Sequence, residues 1–454
     1  MPEEPDSMSG VVFRQLSPPS RSSRSGRSSQ RPLCPQHSSV CSPRNRLCSE
    51  GLHVRTEAGG FPHVDTWPSR GITVTASTPA RSWLLYGAYG YTGRLLAAEA
   101  LARGHRPILA GRSEEKLRQL REELAEGAAE ARACELRAFP LQGPALDEGL
   151  RGVEAVFHAA GPFVETGVPM MEACLRAGAH YLDITGEVPV FEAAFERHDR
   201  AREAGIVLLP GVGLDVIPTD GAAALLAAAL PSASRLELAL HSPGRPSGGT
   251  LQTIVEGVPG GLLVRRGGRL ERAWPGRREF RARVDFGPEP VEGPMAGRLG
   301  GLRSVAPYTW GDLSTAWRTT GIGDITCYLT TPASQRRLLP WLLPLLRQVM
   351  KVRTIRQALR SRIQARVTGP DAEIRRTGRT RVWGRVEDEA GQWEEILLEF
   401  PEGYRFTAIG GLRALETLLD ACPPAGTLTP AGAFGADWVL GLPEVEMVAR
   451  RSRG

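Results

Sequence analysis

Three glycines, Gly87, Gly90 and Gly93, stand in the run LLYGAYGYTGRLL, directly after an apolar stretch and directly before a helical one. Each has a separate use there. The first permits a tight turn, the second lets backbone N–H groups approach a pyrophosphate, and the third lets the helix pack close to its strand. Ala88, Tyr89, Tyr91 and Thr92 complete the loop. With Thr92 opening the helix, a phosphate would sit at the positive end of its dipole. This spacing predicts a dinucleotide cradle over 87–93. A second stretch, VFHAAGPF over 156–163, offers Ala160, Gly161 and Pro162, which let a strand end lie close against the same ligand.

The cofactor is chosen at the end of the next strand, where a carboxylate commonly meets a ribose 2'-hydroxyl. Here Arg112 lies 25 positions after Gly87, Ser113 follows it, and the first carboxylate is Glu114. A cation beside a hydroxyl suits a 2'-phosphate, so the expected cofactor is NADP(H) rather than NAD(H).

Hydride chemistry also needs a proton source near the strand ends on the cofactor side. Tyr181 and Asp183 follow one predicted strand start and Asp215 follows another, and these three are the candidate catalytic residues. Carboxylates in such turns also accept backbone N–H bonds or cap helices. Capping is the stronger reading for Thr219 and Asp220, which precede the Ala-rich run 221–230. His158, inside a strand run, reads as a core or cofactor-adjacent residue. Trp310, Asp312, Trp317 and Arg318 could close over a substrate, with Arg318 pairing an anionic group; sheet packing is the competing reading for the tryptophans. No Tyr-x-x-x-Lys pair falls near these positions, since Lys116 and Lys351 are the only lysines. No metal site is expected, because Cys34, Cys41 and Cys48 recur every seven residues while structural zinc favours C-x2–4-C spacing.

The scaffold that must position these groups begins after Ser82, where strand-like runs alternate with helical periods as far as Leu209. That rhythm predicts an α/β chain: a doubly wound parallel-sheet domain over 83–215, then an α+β domain over 216–428 with largely antiparallel strands, then a closing segment over 429–454. Alternation over 235–240, 279–286, 324–329, 379–386, 393–400 and 404–409 marks the second domain's strands. Residues 1–82 are rich in Ser, Pro, Arg and Gly and predict disorder, or a start assigned too early. They lack the apolar run of a secretory signal. Of the net charge of +6, +4 falls in that segment, so the remainder is too balanced for a nucleic-acid backbone. Scattered cysteines fit a reducing cytoplasm. The stretch LLPWLLPLLRQVM over 338–350 is apolar but shorter than the roughly 20 residues that span a bilayer. Burial against the second sheet is expected for it, with interfacial membrane contact as the alternative.

Taken together, the separated motifs YGAYGYTGR, LAGR, AAGPF, AGAHYLDITGE (177–187), PGVGLDVIPTD (210–220), Gly248–Thr250, WGDLSTAWRTTG (310–321), GRTRVWG, PEGY and TPAGAFGADWVL resemble the saccharopine dehydrogenase-like oxidoreductases. The bacterial branch that includes trans-acting enoyl reductases is the nearest in pattern. The resemblance implies a Rossmann domain followed by an α+β domain whose last segment packs back on the nucleotide half. It also implies an NADP(H)-dependent oxidoreductase reducing a C=C bond of a lipid or polyketide-like intermediate. The alternatives are an imine reductase acting on an amino-acid adduct, or a non-catalytic NADPH-binding protein at a membrane. Expected partners are a small or lipid-like substrate, a peripheral membrane contact and a second copy in a homodimer, with no nucleic acid. Relatives commonly carry Asn where His158 stands, and Cys, Phe and Ser at the places of Val212, Leu214 and Thr219. These departures weaken the transfer of substrate identity.

Overall fold

Six short apolar runs, each followed by helical chain, close into one parallel sheet in the computed structural model, which describes residues 82–244, 251, 255, 257–366 and 369–453. The strands are β1 (Trp83–Tyr86), β2 (Ile108–Gly111), β3 (Leu136–Ala138), β4 (Ala155–His158), β5 (His180–Asp183) and β6 (Val207–Leu209). Every residue of β1, β2 and β4 is buried, as a sheet covered on both faces requires. β1 pairs with β2 on one side and with β4 on the other, so the order of winding reverses at β1. At such a switch point the loops leaving two neighbouring strands diverge and open a crevice beyond their carboxyl ends. The loops concerned are 87–90 and 159–162.

A second, nine-stranded sheet is built from β7 (Arg235–His241), β8 (Leu263–Arg266), β9 (Arg269–Arg272), β10 (Arg283–Asp285), β11 (Leu302–Pro307), β12 (Asp324–Thr330), β13 (Arg379–Glu387), β14 (Trp393–Pro401) and β16 (Glu446–Arg453). Only β7 and β12 run parallel; the other pairs are antiparallel. The short β15 (Gly426–Thr427) instead joins β6 at the edge of the first sheet. The closing segment 429–454, expected to pack back on the nucleotide half, ends in β16, which pairs with β14 in the second sheet.

One apolar core serves both sheets. It runs from Leu85 and Leu96 through Leu412 and Leu415 to Leu226, Val382 and Leu398. The helix Gly403–Ala421 packs on the helix Tyr91–Ala102. Residues 404–409, whose alternation predicts a strand, belong to that helix, because the apolar positions extend to Leu412, Leu415 and Leu419 at helical spacing and Glu402 caps its start by accepting from Tyr404 N and Arg405 N. The stretch 338–350 lies in a helix, Ala333–Met350, with no buried residue, so the expected burial against the sheet does not occur. The reading of residues 1–82 as disordered, apart from Ser82, and the motif Gly248–Thr250 lie outside the described residues.

Candidate cofactor and active site

The crevice at the switch point is shaped by glycine. Gly87 has φ +87°, and a Cβ there would lie 2.9 Å from Ala159 C and from Ala160 Cβ. A Cβ on Gly93 would lie 2.2 Å from Gly87 O and 2.8 Å from Ala88 O. The loop thus lies against the end of β4 with no room for side chains. The helix Tyr91–Ala102 starts at Gly90 with no side-chain cap and no acid in its first turn. Its first N–H groups have no intrahelical partners and remain available to an anion. The residues present fit a dinucleotide pyrophosphate.

The other end of the crevice fits a 2'-phosphate. Tyr89 lays its ring on Gly111, where a Cβ would come within 2.6 Å of Cε1, and its hydroxyl accepts from Arg112 N at 3.1 Å. Arg112 is exposed and its guanidinium has no ion-pair partner among the described residues. Ser113 caps the helix Glu114–Gly127, and Lys116 holds its ammonium 5.7 Å from the Tyr89 ring centroid. Glu114 and Glu115 are both paired with Arg118, so the nearby carboxylates do not neutralise Arg112 or Lys116. Lys116 had no place in the sequence reading; four positions beyond Arg112, one helical turn brings it to the same loop. The side chain of Tyr91, by contrast, is taken: it donates to Pro370 O at 2.6 Å and accepts from Arg375 at 3.1 Å. Ala160 O accepts from Thr166 Oγ1 at 2.7 Å, fixing the 160–162 turn.

Of the three candidate catalytic residues, two are sealed in. Tyr181 donates to Asp183 Oδ2 at 2.6 Å, and Asp183 Oδ1 accepts from Thr185 N and Gly211 N at 3.0 and 2.8 Å. Both side chains are fully buried, and burial pushes the Asp183 carboxyl up to about 6. Together they clamp the loops after β5 and β6. His158 is fully buried among Tyr86, Phe163 and Tyr181 with neither ring nitrogen hydrogen-bonded, and burial pushes it down to about 3. It stays neutral, a packing residue.

Asp215 is different. It is half-buried beside Gly186, where a Cβ would lie 2.8 Å from its Oδ2, and its carboxylate has no hydrogen-bond partner among the described residues. Burial, with the charge of Glu187 adding, pushes it up to about 6. Trp310 donates its indole N–H to the Asp215 carbonyl and thereby brings Tyr308, 5.3 Å away between ring centroids, to the same place. The Tyr308 hydroxyl likewise has no partner among the described residues, and burial raises it, with the Asp215 charge second. Sequence reasoning missed Tyr308, since it lies almost a hundred residues from Asp215 and only the packing of the stretch after β11, through Trp310 and Gly311, against Asp215 and Val216 joins them.

The remaining polar candidates hold the halves together. Asp220 accepts from Thr319 Oγ1 at 2.6 Å and from Ala431 N at 2.8 Å, a cross-chain tie rather than the expected helix cap. Arg318 does not present a free charge: it pairs with Glu192 at 2.9 Å and stacks on Phe195. Trp317 carries Arg265 on its face at 4.1 Å. Asp312 is fully buried and neither of its oxygens accepts a hydrogen bond, the neighbouring Thr219 hydroxyl donating to Val216 O at 3.2 Å instead. Burial holds its carboxyl well above the usual range. A raised folded-state value means that Asp312 contributes fully below the unfolded value near 4 and that this contribution is lost as pH rises. Asp312→Asn should therefore be more stable than the parent at pH 8, by on the order of 1–3 kcal/mol, with the gap closing toward pH 4. Urea unfolding of both proteins across that range checks it, and a gap independent of pH would contradict the account.

A parallel sheet with this glycine cradle at its switch point defines a dinucleotide-binding protein. Residues 83–209 match the family model described as the saccharopine dehydrogenase NADP binding domain. Trans-acting enoyl reductases from Mycobacterium bovis and Mycobacterium tuberculosis are each 34% identical over 140 residues, covering 30% of this chain and 33% of theirs. A trans-acting enoyl reductase from Mycobacterium leprae is 34% identical over 142 residues, with the same coverage. The chain thus matches about a third of the length of these curated relatives. Among solved structures, saccharopine dehydrogenase (L-Glu forming) from Saccharomyces cerevisiae is similar with 12% identity and a TM-score of 0.49, covering 82% of this chain and 100% of that one.

Proposed function

We propose that the chain is an NADP(H)-dependent reductase that saturates the C=C bond of an enoyl group in a lipid-like or polyketide-type substrate held between the two sheets. The observation that carries this reading is the glycine cradle at the switch point, within the stretch matched by the NADP binding domain model; the Asp215 carboxyl beside Tyr308, without a hydrogen-bond partner among the described residues, supports the choice of acid. Gly87, Ala88, Gly90, Thr92 and Gly93 would hold the pyrophosphate, Arg112, Ser113 and Lys116 the 2'-phosphate, and Ala160, Gly161 and Pro162 the nicotinamide side. When bound, NADPH supplies a hydride for one alkene carbon. The chain must deliver a proton to the other, so that the alkene gains two hydrogens and the balance closes. Asp215 is the group assigned to this in our reading, with Tyr308 beside it to orient the substrate or pass the proton on; Tyr181 and Asp183 act as positioning residues for the 211–215 loop. The enoyl substrate is taken from the names of the mycobacterial relatives. An imine reductase would need cations converging on several carboxylates, and two arginines of the second domain, Arg265 and Arg318, are both paired with Glu192. Peripheral contact with a membrane fits a lipid-like substrate, and a cytoplasmic homodimer is expected.

NADPH oxidation by the purified full chain with enoyl thioesters, with a product two mass units heavier, tests the reading. Consumption of NADPH on imines alone would replace it, and none on either substrate would support a binding role without turnover. Cofactor choice has its own test: Arg112→Ala should weaken NADPH by roughly ten- to a hundredfold and leave NADH little changed. Calorimetric titration with both cofactors decides; equal losses would remove Arg112 from the phosphate site.

A further inference from the structure

We propose that the helices Ala333–Met350 and Arg353–Arg366 form a docking surface for an anionic lipid membrane. The first helix carries apolar residues on both sides: Leu339, Leu343 and Met350 are half-buried toward the protein, and a second apolar stripe faces outward. Leu338, Trp341, Leu342, Leu345 and Val349 recur at intervals of three and four and make one stripe, yet all are exposed, Trp341 at 78% and Leu345 at 63%. The side turned to the protein carries Arg347, whose Nε donates to Pro259 O at 2.9 Å. Val352 and Ile355 extend the apolar stripe into the second helix, at 47% and 41% exposure. In that helix Arg356 folds back onto the carbonyls of Met350 and Lys351 and fixes the turn between the two.

A contiguous exposed apolar face of this kind marks a place where something else binds. Charge selects the occupant. Residues 333–366 hold nine Arg and Lys and no Asp or Glu. A second copy docking face to face would set cations against cations, whereas an anionic lipid surface pairs with the cationic rim while the stripe and Trp341 enter the headgroup boundary. No helix among the described residues is long and apolar enough to cross a membrane, so the pair lies along the surface.

The first helix packs along β11, the strand that runs into Tyr308. A membrane held there stands beside the strand that borders the proposed active site, a short path for an acyl chain. This delivery role rests on the reductase reading; the docking surface does not.

Flotation of the full chain with vesicles tests the surface. Vesicles of phosphatidylcholine with a third phosphatidylglycerol should carry the protein up the gradient, and vesicles of phosphatidylcholine alone should not, with about 0.5 M salt reducing the effect. The double variant Trp341→Ser/Leu345→Ser should lose about tenfold or more of vesicle affinity. It should bind NADPH as the parent does, which shows that it is folded. No flotation, equal flotation on neutral vesicles, or full retention by the variant would overturn the proposal. So would a parent dimer that light scattering shows becoming a monomer in the variant, since the face would then belong to a second copy. NADPH oxidation is read separately, so failure of the reductase reading leaves the flotation result standing.

Discussion

Asp215→Asn is expected to lower kcat on an enoyl substrate by about 10²–10⁴-fold, while the NADPH dissociation constant moves by less than about twofold. The amide keeps the shape of the carboxyl and its neighbours, including the Trp310 bond to the Asp215 carbonyl, but has no proton of suitable acidity to give. The pH profile separates a donor from a merely structural residue. Burial pushes Asp215 up to about 6, so its acid form is present below that value and is lost as pH rises through it. The parent's kcat should fall with pH on that limb, and the variant should lack the limb. Tyr308→Phe, which removes only a hydroxyl, should show a smaller loss with the limb preserved. A kcat for Asp215→Asn close to the parent's would end the assignment.

Gly93→Ala should weaken NADPH binding by on the order of a hundredfold or more and lower the midpoint of thermal unfolding. The added methyl would fall 2.2 Å from Gly87 O and 2.8 Å from Ala88 O, both rigid backbone atoms. Either the helix lifts from the strand or the loop opens, and both outcomes misplace the N–H groups that meet the pyrophosphate. Gly127→Ala serves as the control, because a Cβ there meets nothing within 4 Å. Calorimetric titration of the two variants beside the parent gives the answer. Parent-like affinity in Gly93→Ala would show that the loop at 87–93 does not cradle the cofactor.

The cradle was legible in the sequence because its constraint is local: the spacing of Gly87, Gly90 and Gly93 between a strand and a helix already states where backbone must approach backbone. Arg112 and Ser113 were legible for the same reason, as the end of the next strand. Alternation misled at 404–409, where six residues fit a period of two and only the longer window shows the helical one. It also failed to reveal β8 and β9, a short hairpin that joins the second sheet where Arg265 of β8 meets Ile325 of β12. For 338–350, composition gave an apolar stripe but not its direction, and a helix cannot choose inside or outside until its neighbours are placed.

The amino-acid sequence by itself determined the strand–helix rhythm of a nucleotide domain, the glycine spacing of its cradle and the cation at the end of β2 that suits a phosphorylated ribose, because each is written in a local stretch of about thirty residues, although the pairing of β1 with β4 that completes the cradle is not. Which of the two carboxylates is left without a hydrogen-bond partner was decided only by the tertiary structure. Asp183 and Asp215 follow similar strands, yet Asp183 is enclosed by Tyr181, Thr185 and Gly211, while Asp215 is left open beside Gly186 and Tyr308. The difference is one of burial and partners, and at Asp215 it is set by the 308–311 stretch after β11, which arrives from a distant part of the chain.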